Sequence, residues 1–132
     1  MGAQLLLIVT AVAEAATGLM LLASPTSVVA LLLGATLDAP AALVVARIAG
    51  AALLSLGCAC WLVRNDGPTR VILGLVAAML LYNCAAGAVL AHAGAGVRLV
   101  GVLMWPAVAL HAALALWCIA CLRSGPLTAS GR

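Results

Sequence analysis

The sequence predicts an all-α fold: four transmembrane helices in an antiparallel bundle, with a short interfacial helix between the first and the second. Three observations carry this. The 132 residues are 67% hydrophobic and only 7% charged, with a mean hydropathy of +1.33, whereas soluble domains run at roughly 45–50% apolar and ~25% charged. Four apolar runs each approach the ~20 residues a helix needs to cross a ~30 Å hydrocarbon layer. The segments between them are short and hold proline, glycine and small polar residues.

The first run, about 3–22, has Glu14 near its centre and stops at Ser24-Pro25. Ser24 can cap a new helix with Pro25 at its first position. The segment 25–34 is apolar but too short to span, and Gly34 can stop it, so it reads as an interfacial or re-entrant turn of helix. Asp38-Ala39-Pro40 offers a cap and a leading proline for the second span, about 41–63. Asn65-Asp66-Gly67-Pro68 is a turn, and Asp66 or Thr69 can cap the third span, about 71–91. Gly94-Ala95-Gly96 makes the next loop, and the fourth span covers about 99–122. Residues 124–132 carry no packing signal and are expected to be a disordered tail. Residues 1–132 form a single integral membrane domain. No run resembles a cleavable signal, since the first lacks a basic start and no polar domain follows. Connections this short make sequential helices antiparallel neighbours.

All six cations are arginines. Arg64 and Arg70 flank the second loop, Arg123 and Arg132 follow the last span, and the opposite side offers only Arg98, with Asp38. The positive-inside rule then places both termini in the cytoplasm.

The intramembrane polar residues are the candidate site. Glu14, Tyr82, Asn83 and His111 fall near the middles of the first, third and fourth spans, and Arg47 lies about six residues, or ~9 Å, from the middle of the second. A carboxylate at such depth faces a bundle interior or an aqueous pathway and needs a partner. Arg47 is the expected partner of Glu14, because either charge alone is costly. That pair could simply neutralise both charges and lock the bundle, or it could belong to a ligand site. Thr10, Glu14, Thr17 and Gly18 share one helical face, as do Arg47, Gly50, Ala51, Leu54 and Cys58, and Met104, Ala107, His111, Ala115 and Cys118. Gly50 and Gly57 leave room for close helix approach. Pro106 loosens the turn before His111, which is expected to point inward and border any cavity.

His92 ends the third span near the outer surface, where a solvated histidine is ordinary, and its depth differs too much from that of His111 for the two to share a haem. Four of the five cysteines, Cys58, Cys60, Cys118 and Cys121, share the inner leaflet. Paired thiolates suit soft metals, but cysteine is also a common small packing residue, and packing is the expectation. Trp61 and Trp117 fall at the same depth, as an inner aromatic belt. No phosphate-binding loop and no nucleophile–His–Asp set is present, and a net charge of +3 is too small for a nucleic-acid footprint. No catalytic residue, metal or cofactor is expected.

The second span, Ala46-Arg47-Ile48-Ala49-Gly50-Ala51-Ala52-Leu53-Leu54-Ser55-Leu56-Gly57, resembles the R-x-x-G…G helix of small bacterial four-helix membrane proteins of the DoxX-like kind. This resemblance covers one helix and the overall layout, and it implies fold more than function. Ala13-Glu14 and Gly18 resemble the first helix of small multidrug resistance transporters, whose glutamate binds protons and cationic drugs. The third span lacks the aromatic-rich pattern of those transporters, and an arginine beside Glu14 would compete with a cationic substrate.

The function expected from these readings is a small membrane binding or accessory protein with a buried polar centre. Its partners would be membrane lipids, a small lipid-like or quinone-like ligand, and further copies or a larger membrane complex. A proton-coupled small-molecule transporter using Glu14 is the alternative, and a thiol or soft-metal carrier the second alternative.

Overall fold

The computed structural model describes residues 2–67 and 69–124. Among these the protein is all helix and turn: α1 Gly2–Ala23, α2 Pro25–Leu33, α3 Pro40–Val63, α4 Arg70–Ala95 and α5 Met104–Arg123. Helices α1, α3, α4 and α5 are each long and apolar enough to cross a membrane, and α2 is the short helix expected between the first two spans. Of the predicted segments, Pro68 and residues 125–132 of the expected tail lie outside the described residues.

The helix boundaries follow from local chemistry. Pro25 has no N–H to continue α1 and starts α2 instead. Ser24 holds the junction, its hydroxyl 2.7 Å from that of Ser27. Gly34 ends α2 in the left-handed conformation at φ +64°, its N–H donating to the Ala30 carbonyl. Pro40 is the first residue of α3, but the cap position belongs to Ala39 and not to Asp38. Thr69 caps α4, accepting from the Ile72 N–H at 3.3 Å.

Two boundaries depart from the sequence reading. Helix α4 runs a full turn beyond residue 91, to Ala95, and closes with Gly96 and Val97 both donating to the His92 carbonyl. Helix α5 begins at Met104 and not at 99. The reason is tertiary. Residues 97–103 lie against the end of α2, where Gly101 N donates to Leu32 O at 3.0 Å and Leu103 N to Leu31 O at 2.9 Å. These bonds satisfy carbonyls that the end of α2 leaves free, and the second spends the Leu103 donor that a helix begun at residue 99 would have used.

Helix packing also differs from simple sequential pairing. Helix α1 packs closely on α3, and α4 on α5, while α3 and α4 are joined by a short turn but do not pack closely. Helix α2 fills the angle between α1, α3 and α5. The α1–α3 seam is made by glycines. A Cβ on Gly18 would stand 2.7 Å from the Gly50 carbonyl oxygen, and one on Gly57 would stand 2.9 Å from that of Ala11. Backbones this close gain dispersion contacts that substitute for a hydrophobic driving force in lipid. The core lies toward the end of the bundle where α1 begins: Leu6, Leu7 and Ala11 meet Cys60, Ile72, Val76, Met79, Leu114 and Cys118. The outer surface is a belt of exposed aliphatic residues, among them Val12, Ile48, Leu81, Val89 and Leu116, as a lipid-facing surface requires.

Candidate functional site

Four of the five predicted polar residues come together, and one does not. Glu14 is 4% exposed, held at the middle of α1 on the face that also buries Thr10 and Gly18. Its carboxyl Oε2 accepts from the Tyr82 hydroxyl of α4 at 3.2 Å. Asn83, the next residue, is fully buried and donates to the Met79 carbonyl at 2.8 Å. Its other side-chain atom, Oδ1, lies 2.9 Å from Nδ1 of His111 on α5. The Tyr82 and His111 rings meet edge to face, with centroids 5.7 Å apart. Glu14, Tyr82, His111 and Asn83 thus form one continuous polar array across three helices. Gly87 helps to make room for it, since a Cβ there would touch the His111 Cβ at 3.4 Å.

Arg47 is not part of the array, which corrects the expected Glu14–Arg47 pair. It is exposed on α3. The glycine seam explains why. Gly50 faces Gly18, Leu21 and Leu22, so Arg47 lies level with or beyond Leu22, at least eight residues or ~12 Å along the axis from Glu14. The buried face of α3 is Gly50, Gly57 and Cys60, and Arg47, Ala51 and Cys58 fall outside it. Seven residues from the start of α3, the Arg47 side chain can run along the helix for most of the ~10 Å to that end and keep its charge near the interface. Of the other described arginines, none is placed near Glu14, since all lie at or beyond helix ends.

Glu14, Tyr82 and His111 line a cavity of about 110 Å³, closed by Ala107 and Leu110 of α5 and Leu32 of α2. A larger apolar groove of about 270 Å³ adjoins it between α1, α2 and α5, lined by Met20, Val28, Leu31, Leu103 and Pro106. The two share Thr17, Leu32, Ala107 and Leu110 as lining residues. An apolar groove thus lies beside a cavity bordered by the polar array. His111 points inward and borders the cavity, as its position after Pro106 suggested. The contribution of Leu32 had no signal in the sequence, because an apolar residue in a short apolar helix looks the same wherever it points.

On the opposite side of the array the interior is tight. Thr10, one turn before Glu14, is 1% exposed, and its hydroxyl is the one sealed side-chain polar atom among the described residues without a hydrogen-bond partner. Cys60 and Cys118 are fully buried in the core, whereas Cys58 and Cys84 are exposed. Among the described residues no three His, Cys, Asp or Glu side chains gather as a metal site would need. At the end of the bundle where α1 begins, Gln4 donates to Asn65 at 3.0 Å, and the Arg64 guanidinium stacks 3.8 Å from the centre of the Trp61 ring.

Four apolar, span-length helices around a buried carboxyl define an integral membrane protein with an intramembrane polar site. Comparison with known proteins finds no family model, no curated protein and no solved structure that matches this chain.

Proposed function

We propose that this protein is a small integral membrane binding or accessory protein that holds an amphiphilic, lipid-like or quinone-like ligand, with its head at Glu14, Tyr82 and His111 and its apolar part in the adjoining groove. The observation that carries the reading is that a cavity bordered by polar groups adjoins an apolar groove and shares four lining residues with it. Ligand sites are mostly apolar with a few convergent polar groups and range from ~300 to 1,000 Å³; each space alone is smaller than that, and only the two taken together reach the lower end of the range. A bundle locked only by its polar residues has no need of a space beside them. The arginine bias and the likeness of the second span to DoxX-like proteins support a bacterial inner-membrane protein with cytoplasmic termini, which works with lipids and with further copies or other membrane proteins.

The test is extraction. Protein purified in mild detergent is extracted with organic solvent, and the extract is compared with bulk membrane lipid by mass spectrometry. Wild type is expected to carry one amphiphile enriched over bulk. Leu110→Trp, which fills the groove, and Glu14→Gln, which alters the polar border of the cavity, are expected to lose it while eluting as folded protein. Identical bulk-lipid profiles from all three would end this reading.

A proton-coupled transporter using Glu14 is the second reading, and one observation favours it. With Arg47 turned outward, no fixed cation among the described residues competes for the carboxyl.

A further inference from the structure

The hydrogen-bonding character of the cavity can be worked out atom by atom from Asn83. Its amide nitrogen donates to the Met79 carbonyl at 2.8 Å. A carbonyl only accepts, so the NH₂ group must face Met79 and Oδ1 must face His111. Oδ1 only accepts as well, so His111 Nδ1, 2.9 Å away, carries the hydrogen. In the neutral imidazole this leaves Nε2 as a bare acceptor. Among the described residues Nε2 has no partner, and it is not sealed off, since Thr10 Oγ1 alone is both sealed and unpartnered. Glu14 is in the same position. Its Oε2 is met by Tyr82, while Oε1 has no protein partner among the described residues and is not sealed. The Tyr82 hydrogen is already committed to Glu14. Two open atoms therefore border the cavity, and neither the tyrosine nor the histidine has a hydrogen left to offer a ligand.

Resting on the ligand reading above, we infer that the site selects an amphiphile with a hydroxyl head, such as a hydroquinone, over its carbonyl-headed counterpart. A hydroxyl can donate to His111 Nε2. It can also satisfy Glu14 in either protonation state, donating to the carboxylate or accepting from the acid. A carbonyl only accepts. It can pair with Glu14 only when that group is the acid, beside a carboxylate it sets lone pairs against lone pairs, and in either state it leaves Nε2 unpaired in a buried site. The expected discrimination is about tenfold, toward the lower end of what one unmade buried hydrogen bond costs. Asn83 is a positioning residue in this scheme, because it reaches the ligand only through the tautomer it imposes on His111.

The experiment compares decyl-hydroquinone with decyl-quinone, titrated anaerobically into the protein in lipid nanodiscs with empty discs as blank. The hydroquinone is expected to bind about tenfold more tightly, and the ratio is expected to fall toward one in Asn83→Leu. Equal affinities, or a preference for the quinone, overturn this inference and leave the ligand reading standing. Absence of saturable binding for both probes overturns both. A second measurement needs no variant. With only two histidines in the chain, nitrogen-15 spectra of the wild type should show His111 protonated at Nδ1 and bare at Nε2. The opposite tautomer overturns the inference.

Discussion

Glu14 illustrates how a single residue type can be read correctly and its partner incorrectly. A carboxyl at mid-span needs a hydrogen-bond partner, because an unsatisfied polar group in hydrocarbon is costly. Tyr82 meets that need with a hydroxyl, at 3.2 Å, where charge balance alone suggested Arg47. The two residues therefore differ in how they should couple to Glu14. In double-mutant cycles by thermal or denaturant unfolding in detergent, Tyr82→Phe and Glu14→Leu are expected to be non-additive by about 0.5–3 kcal/mol, as contacting residues are. Arg47→Leu and Glu14→Leu are expected to add within about 0.5 kcal/mol. A coupling above about 1 kcal/mol for the second cycle would restore the ion pair and refute the geometry. Thr10 marks a related tension: a hydroxyl fully enclosed beside the array with no partner gives up hydrogen bonding it would have made in water.

At the scale of elements, the glycines divide into those that are packed on and those that are not. A Cβ on Gly50 would meet Gly18 O and the Leu21 Cβ at 2.8 Å and Leu22 N at 3.0 Å. Two of these are backbone atoms that cannot move without separating α1 from α3. A Cβ on Gly74 of α4 would meet nothing within 4 Å. Gly50→Val is therefore expected to destabilise by about 1–3 kcal/mol or more through overpacking. Gly74→Ala is expected to stabilise by about 0.5–1 kcal/mol, because alanine loses less backbone entropy in a helix. Thermal unfolding of the two variants side by side checks this, and a neutral Gly50→Val would mean that the seam is not as close as described. The boundary of α5 belongs to the same scale. Its delayed start is set by the bonds of Gly101 and Leu103 to the end of α2, contacts between segments about seventy residues apart.

For the whole molecule, four spans place the start of α1 and the end of α5 on one side of the membrane, with the turn between α3 and α4. Four arginines, against Arg98 and the outer-end Arg47, favour the cytoplasm for that side. Reporter fusions at residues 66 and 132 are expected to report the cytoplasm, and one at residue 37 the opposite compartment. A cytoplasmic signal at 37 would refute the topology. The molecule is also uneven along its axis. The end where α1 begins is filled by the aliphatic and cysteine core, while the groove opens beside α2, at the other end. A ligand would then reach the polar array from the α2 side.

The sequence by itself determined the class of fold, the number of spans, the short helix after Pro25, and all four residues of the polar array, with Arg47 wrongly added as a fifth. The reasons are local. Span length is fixed by the hydrocarbon thickness, proline and glycine punctuate helices wherever they stand, and helical periodicity alone puts Thr10, Glu14 and Gly18 on one face. The tertiary structure decided what depends on rotation and register between helices. It turned Arg47 outward, because the close glycine seam of α1 and α3 fixes which face of α3 is buried. It paired Glu14 with Tyr82 and His111 with Asn83, and it brought Leu32 of α2 against the cavity. It also shortened α5, because a backbone donor that one helix could have used was taken by the end of another. Periodicity gives the faces of each helix, but not which faces meet, nor at what height, and the site is made of those meetings.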